Sequence, residues 1–356
     1  MEKKELEQVT RAYRLPEDMK PYGNGHINDT FVDPEHRYLL QRINTSVFEN
    51  PKELMENIRN VTEFLKQKIR AEGGNPERET LTVIPTADGR DFYQTEDGRA
   101  FRVYRFVGNT ITVEEGKTVE NLYQAGIGFG HFQRMLSDFP VEKLHETIPD
   151  FHHTPKRLAA LKEAVQKDPV GRAASVREEI SFALEHEDWA NVVLQGMEEG
   201  SIPVRVTHND TKINNILFDE VTGKAICVID LDTVMPGSLL YDFGDGLRMG
   251  GSTAAEDEPD LKLVHFDETC FEAFARGFLL EMKDTITETE RKLLPFSVKL
   301  MTYECGVRFL TDYLNGDTYF KIHRPGQNLD RARNQFCLVK EIDKKEQKLL
   351  EMVSGR

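Results

Sequence analysis

The chain has 356 residues, long enough for two lobes and a large buried core. Hydrophobic residues make up 39% and charged residues 30%, the profile of a soluble globular protein. Lys and Arg number 46 against 61 Asp and Glu, and the resulting charge of −15 repels polyanions and argues against nucleic acid or an anionic membrane as partner. The N-terminus, MEKKELEQVTRAY, is charged and lacks the apolar core of a signal peptide, and no apolar run approaches the length of a membrane span. Cys227, Cys270, Cys305 and Cys337 lie far apart with no C-x-x-C pair, which predicts buried thiols rather than disulfides or zinc and points to a reducing cytoplasm.

In chain order, the first informative stretch is GNGHINDTF at residues 23–31. A G-x-G beside a strand lets the backbone approach phosphates closely, so Gly23 and Gly25 are candidate phosphate-covering residues, with Asn28 where a third glycine would fall. Alone, this motif is an ordinary β-turn. Residues 38–44, YLLQRIN, predict a strand ending in a cation suited to phosphate oxygens, Arg42, with Gln41 beside it. Strand alternation points only one of the two into a cleft, and the residues do not say which. An amphipathic helix follows over residues 51–70, where Glu53, Glu56 or Glu63 could pair with the strand cation. Two Asp-Gly-Arg turns, at residues 88–90 and 97–99, mark successive hairpins. A strand at 101–108 closes this first lobe (residues 1–108), and the backbone of Phe106, Val107 and Gly108 would form a hinge able to pair with adenine.

Residues 109–356 turn mainly helical. A long helix is expected over 119–136, and Gly126, Gly128 and Gly130 within it signal tight packing or a bend. The loop at 144–157 carries His145, His152 and His153, and adjacent histidines alone are not a metal-ligand pattern. Further helices are expected at 158–165 and at 176–197, the latter holding the single Trp189, and a strand at 203–206 leads onward.

The densest chemistry lies in THNDTKINNILFDEVTGKAICVIDLDT, residues 207–233. Two apolar strands, 216–219 and 225–229, flank a turn, so the residues before the first strand should meet those after the second. His208, Asp210, Lys212 and Asn215 would then face Asp230 and Asp232. Phosphoryl transfer needs a carboxylate at the acceptor hydroxyl, a cation on the migrating group and oxygen ligands for Mg²⁺. Asp210 supplies the first, Lys212 the second, Asn215 and Asp230 the third. The spacing H-x-D-x-K-x-x-N is that of the protein-kinase catalytic loop. The plainer alternative is a polar turn between two strands.

Downstream, YDFGDG at 241–246 contains a D-F-G, but the metal carboxylate should follow the hairpin directly, so Asp242 reads as a structural acceptor of backbone N–H groups. Residues 250–259 are acidic and small, a mobile loop by composition. Helices follow at 266–282, after the capping box Thr287–Glu290, and at 328–353.

HNDTKINN followed by VIDLDT resembles the catalytic and metal loops of the aminoglycoside phosphotransferase-like kinases. With GNGHINDTF, YLLQRIN and PDFHHTPKR, the wording is most similar to the N-acetylhexosamine 1-kinases within that group. The resemblance implies an α+β, two-lobed protein-kinase-like fold, with ATP and Mg²⁺ as cofactors. It implies phosphorylation of the anomeric hydroxyl of N-acetylglucosamine or N-acetylgalactosamine. By the same resemblance His26, Thr233, Arg308 and Tyr319, with Asp210 and Asp230, belong to the sugar site, the loop at 144–157 shapes its wall, and Asp242 braces the catalytic loop. An aromatic wall associated with the family's C-terminal region has no Trp counterpart here. Kinases of the same fold acting on amino alcohols, homoserine, a thioribose or aminoglycosides are the alternatives, and a catalytically silent nucleotide-binding protein is a third reading.

Overall fold

The computed structural model describes residues 3–23, 27–113 and 117–355. It divides into two compact units that are interleaved along the chain rather than laid end to end. The first comprises Met1–Val113, Met135–Pro149 and Asn214–Pro236, and the second Glu114–Arg134, Asp150–Ile213 and Gly237–Arg356. The expected end of the first lobe, residue 108, lies close to the end of its longest segment, while the 214–236 hairpin joins it from far downstream.

The first unit begins with helix α1 (Lys3–Tyr13), followed by strands β1 (Lys20–Pro21), β2 (Asp29–Val32) and β3 (Tyr38–Ile43). Helices α2 (Pro51–Ala71) and α3 (Pro76–Glu79) come next, then β4 (Val83–Ile84), β5 (Tyr93–Gln94), β6 (Ala100–Arg105) and β7 (Thr110–Ile111). Strands β1 to β6 form one antiparallel sheet in the order β1-β2-β3-β6-β4, with β5 also on β6. Phe31, Leu40, Phe101 and Val103 pack on Val9 and Tyr13 of α1, and the Tyr13 hydroxyl donates to the Phe101 carbonyl at 2.7 Å. That helix is not apparent from composition, because its apolar stripe is embedded in charged residues. Helix α2 starts where Asn50 accepts the Glu53 N–H (3.3 Å) ahead of Pro51, and it buries Leu54, Met55, Ile58, Val61, Leu65 and Ile69. Both Asp-Gly-Arg turns close alike, with Thr86 and Thr95 bonding Arg90 and Arg99 across Gly89 and Gly98, whose φ of 85° and 86° suits glycine.

The second unit is helical: α4 (Val119–Met135, its last residue outside the unit), α5 (Thr154–Lys167), α6 (Arg177–Glu185), α7 (Val192–Glu198), α8 (Leu239–Gly250), α9 (Glu268–Met282), α10 (Glu288–Leu314) and α11 (Gln327–Ser354). A Cβ on Gly126 would strike the Phe274 carbonyl and one on Gly277 the Tyr123 carbonyl, so α4 and α9 touch backbone to backbone. The helix expected over 176–197 is broken by a 3-10 turn at Glu187–Asn191, where Trp189 packs edge-on to Tyr303 of α10. Thr287 and Glu290 form the reciprocal capping box that opens α10. The acidic segment at 250–259 is fastened rather than loose: Arg248 pairs with Glu256, Gln327 donates to Asp257 (2.8 Å) and Asn334 to the Ala255 carbonyl (2.9 Å). Among the described residues no helix is long and apolar enough to cross a membrane.

Candidate active site

In the first unit, β9 (Ile216–Asp219) and β10 (Ala225–Val228) form the expected hairpin, with β9 also paired to β7. Asp219 closes its turn by accepting the N–H groups of Val221 and Thr222 at 3.2 and 2.8 Å. The Ile229 N–H donates to the Asn215 carbonyl at 2.9 Å, so the hairpin brings Asn215 against the strand end that leads into Asp230. Asp230 has a left-handed backbone, φ 58°, and opens the short turn Leu231–Thr233, in which Thr233 is buried. An amide oxygen and a carboxylate are hard oxygen donors, the set that Mg²⁺ takes when phosphates and water complete its octahedron. Among the described residues no group of three His, Cys, Asp or Glu gathers as a metal site, and a magnesium held partly by phosphates does not require one.

Asp232 is not in the metal set. Its carboxylate is forked onto Arg102 of β6, which is 1% exposed, and also accepts from Asn28 Nδ2 at 2.7 Å. Burial disfavours the charge on Arg102, yet the carboxylates of Asp232 and Asp230 raise its pKa above the ordinary value. Arg102 Nε donates to Gln41 Oε1 at 2.9 Å. Gln41 pairs with Arg102 in the β3–β6 register, whereas Arg42 pairs with Phe101, so alternation puts Gln41 on the face of Asp232. Arg42 shares the other face with Leu40 and Phe101, and its guanidinium pairs with Asp29. The expected phosphate cation on this strand is therefore turned away from the metal loop. Nor does α2 supply its partner: Glu56 meets His145 (2.8 Å) and Glu63 meets Lys66 (2.8 Å).

Of the nucleotide-loop residues, Gly23 has φ 72°, as a tight turn needs, while Gly25 and His26 lie outside the described residues. Asn28 is spent within the unit, since its Oδ1 accepts the Asn44 N–H (3.0 Å) and its Nδ2 holds Asp232, so its side chain braces the loop instead of lining it. Over the residues expected to form the hinge, the Phe106 N–H donates to the Arg37 carbonyl (2.9 Å) and the Val107 carbonyl accepts from Thr110 (2.9 Å), whereas nothing crowds Gly108.

The second unit carries the catalytic loop, which follows β8 (Arg205–Thr207). His208 does not point to a reacting group. It is fully buried edge-on to Phe129 and Phe132, and its Nδ1 accepts the Asp210 N–H at 3.3 Å. Asp242 braces the loop from α8, accepting the His208 and Asn209 N–H groups (2.9 and 2.7 Å) and a bond from Gln133 (2.6 Å). Burial raises its pKa despite those donors. Asn209, held between these bonds, has a left-handed φ of 65° that presents the next residue, Asp210. Lys212 Nζ lies 2.7 Å from Asp210 Oδ1. Burial would lower the Lys212 pKa, but the carboxylates of Asp210 and Asp245 raise it, so it stays a cation.

A relay of contacts leads from this loop to α10. His152 Nε2 meets the Asn209 carbonyl (3.1 Å) and its Nδ1 meets Glu304 (2.9 Å), which also accepts from Thr154 (2.6 Å). Two acceptors suit an imidazolium: burial opposes the charge, but Glu304 raises the His152 pKa. The Glu304 pKa is lowered, since His152 outweighs its own desolvation. Arg308 follows Glu304 by one helical turn on the same face. It lines a cavity of about 200 Å³ with Arg157, Asp312, Asn315, Tyr319 and Phe320, so Arg308 and Tyr319 do share a pocket. The Arg308 guanidinium lies 5.4 Å from the Phe320 ring centre, and Tyr319 is 73% exposed at the rim. Arg157, which the sequence did not single out, donates to the Phe151 carbonyl (2.8 Å) and keeps a buried Nε without a hydrogen-bond partner. Burial and the neighbouring Arg308 charge lower its pKa.

An α+β chain of this topology, with an H-x-D-x-K-x-x-N loop and a hairpin-borne aspartate, has the parts of a kinase-like phosphotransferase. Residues 18–279 match the phosphotransferase enzyme family, and the chain belongs to that family. As a member of it, the chain is a phosphotransferase. Solved structures share the fold at low identity. A microcompartment-associated aminopropanol kinase superposes with a TM-score of 0.61 at 16% identity, covering 98% of both chains. A choline kinase from Cryptosporidium parvum Iowa II gives 0.60 at 14% identity over 98% of this chain and 97% of its own. A spectinomycin phosphotransferase in complex with ADP and spectinomycin gives 0.57 at 13% identity over 93% of each.

Proposed function

We propose that the chain phosphorylates the anomeric hydroxyl of an N-acetylhexosamine, N-acetylglucosamine or N-acetylgalactosamine, at the expense of ATP. The observation that carries the acceptor class is the charge of the pocket on α10. It presents two arginines, and the carboxylates beside them are already engaged. Asp312 accepts the N–H groups of Tyr319 and Phe320 (2.8 and 2.9 Å) and an Asn328 amide (2.9 Å), while Glu304 is occupied by His152 and Thr154. Cationic acceptors such as choline or aminopropanol would be repelled there. A neutral sugar offers oxygens to Arg157 and Arg308 and a ring face to Phe320 and Tyr319.

Asp210 accepts or orients the proton of the acceptor hydroxyl, and Lys212 steadies the charge that develops on the migrating phosphoryl group. Asn215 and Asp230 would hold Mg²⁺, which neutralises and aligns the triphosphate. A hexose hydroxyl is a weak nucleophile, so positioning by the loop provides much of the rate. The anomeric hydroxyl is the most acidic of the ring and the easiest to deprotonate. Cys227 and Cys270 are buried free thiols, with burial pushing Cys227 up to about 12, in keeping with a reducing cytoplasm. ADP release over a panel of N-acetylhexosamines, plain hexoses, aminopropanol, choline and aminoglycosides, with phosphorus NMR of the product, tests this reading. Turnover confined to N-acetylhexosamines and a sugar 1-phosphate signal are expected. Preference for any amine-bearing acceptor would overturn it.

A further inference from the structure

We propose that Arg102 is a positioning residue for metal and nucleotide: acting through Asp232, it fixes the turn that presents Asp230 and ties the nucleotide-covering loop to it. The inference rests on the kinase reading of the chain and not on the choice of sugar.

Four observations lead there. First, the β3–β6 register places Gln41, not a cation, on the face of the sheet nearest Asp232, and the positive charge on that face comes from the adjacent strand at Arg102. Second, Arg102 is 1% exposed, with its fork on Asp232 and its Nε on Gln41. A buried guanidinium with these partners acts on the nucleotide only through what it holds. Third, Asp230 keeps a left-handed backbone, φ 58°, two residues before Asp232. A non-glycine residue in that region is strained and persists only where its surroundings impose it. The Arg102 fork on the Asp232 carboxylate and the Thr147 hydroxyl on its carbonyl (3.3 Å) hold the following turn in place. Fourth, Asn28 bridges Asp232 and the Asn44 N–H, so one carboxylate is shared between the segment just before β2 and the metal loop.

Stability alone does not call for this arrangement. A buried ion pair exchanged for apolar residues of similar volume is often neutral or stabilising. An apolar pair, however, cannot offer Asn28 an acceptor or pull the turn by a directed fork.

The test separates holding the fold from holding the metal. Mn²⁺, as a spectroscopic probe in place of Mg²⁺, is titrated by electron paramagnetic resonance in the presence of a non-hydrolysable ATP analogue and with no acceptor. The Arg102→Met, Asp232→Leu double variant should melt near the parent temperature yet bind Mn²⁺ ~10- to 100-fold more weakly, the usual cost of losing an outer-shell partner. Arg102→Lys, which keeps charge but not the fork, should fall between. Asn28→Ala should weaken the nucleotide analogue while leaving the KM of the acceptor in place. A folded double variant with Mn²⁺ affinity within about twofold of the parent would overturn the proposal, because the pair would then only fill space. Should the double variant not fold, Asp232→Asn, close in shape, is read by the same titration with the same two outcomes. A parent protein that bound no Mn²⁺–nucleotide would overturn this inference together with the kinase reading, whereas an unexpected acceptor leaves it standing.

Discussion

Each of the two loops that carry the proposed chemistry has a buried aspartate as a brace, Asp242 in one and Asp232 in the other, and these two work by different means. In the second unit, Asp242 has no guanidinium partner among the described residues and is held by the N–H groups of His208 and Asn209 and by Gln133. In the first, Asp232 is held by the Arg102 fork and the Asn28 amide. A carboxylate on backbone donors dictates the path of the main chain, which suits a loop whose task is to aim a single side chain, Asp210. A carboxylate on side chains from two separate segments ties those pieces together, which suits a metal turn that must keep station with a nucleotide loop. Both arrangements stand beside a residue in the left-handed region, Asn209 in one case and Asp230 in the other.

The comparison can be broken at several points. The largest effect is expected at Asp210: Asp210→Asn should lower kcat by ~10²- to 10⁴-fold with nucleotide affinity retained, and a near-normal rate would remove its assigned role. Next in size is Asp232→Ala, which strands a buried guanidinium and should cost ~3–5 kcal/mol in urea unfolding. Asp242→Ala leaves neutral donors unpaired instead of a charge, so its cost should be smaller, ~1–3 kcal/mol. Equal losses at the two positions would show that the braces do not differ as described.

The smallest effect concerns the His152–Glu304 pair and depends on pH. The His152 pKa is raised above 6.5, so its contribution is complete below that pH and fades as pH rises through the folded value. The Glu304 pKa is lowered below 4.5, so its contribution is present above that pH and is lost as the solution becomes more acid. The urea midpoint of His152→Gln should therefore lag the parent most between pH 4.5 and 6.5 and recover toward it at alkaline pH. A gap that does not vary with pH would contradict the imidazolium assignment.

What could be read from the sequence depended on how local each signal was. The hairpin was legible because two apolar runs flank a turn, and α2 because Asn50-Pro51 precedes a helical stripe. The bracing role of Asp242 was also foreseen, although its N–H donors come from the catalytic loop rather than from its own helix. Arg102 was not legible. In FRVYRFVG it alternates with apolar residues like any solvent-facing strand arginine, and its counter-ion lies 130 residues downstream. His208 stands among Asp, Asn and Lys in the sequence, and nothing there foretells the Phe129 and Phe132 rings against which it packs. Arg157 could have been suspected from its place beside the histidine loop, but its buried Nε has no trace in composition. Alternation alone left open which of Gln41 and Arg42 shares a face with Arg102, and the β3–β6 register puts Gln41 there.

The interleaving of the units has a consequence for synthesis. Strand β9 takes its place beside β7 by joining Thr110 to Asp219, so the first unit stays incomplete until the ribosome has delivered chain as far as Pro236. By then the helices from α5 to α7 have already emerged. A fragment cut after residue 113 would expose the β7 edge and lack the turn carrying Asp230, so nucleotide chemistry cannot be recovered from that piece in isolation.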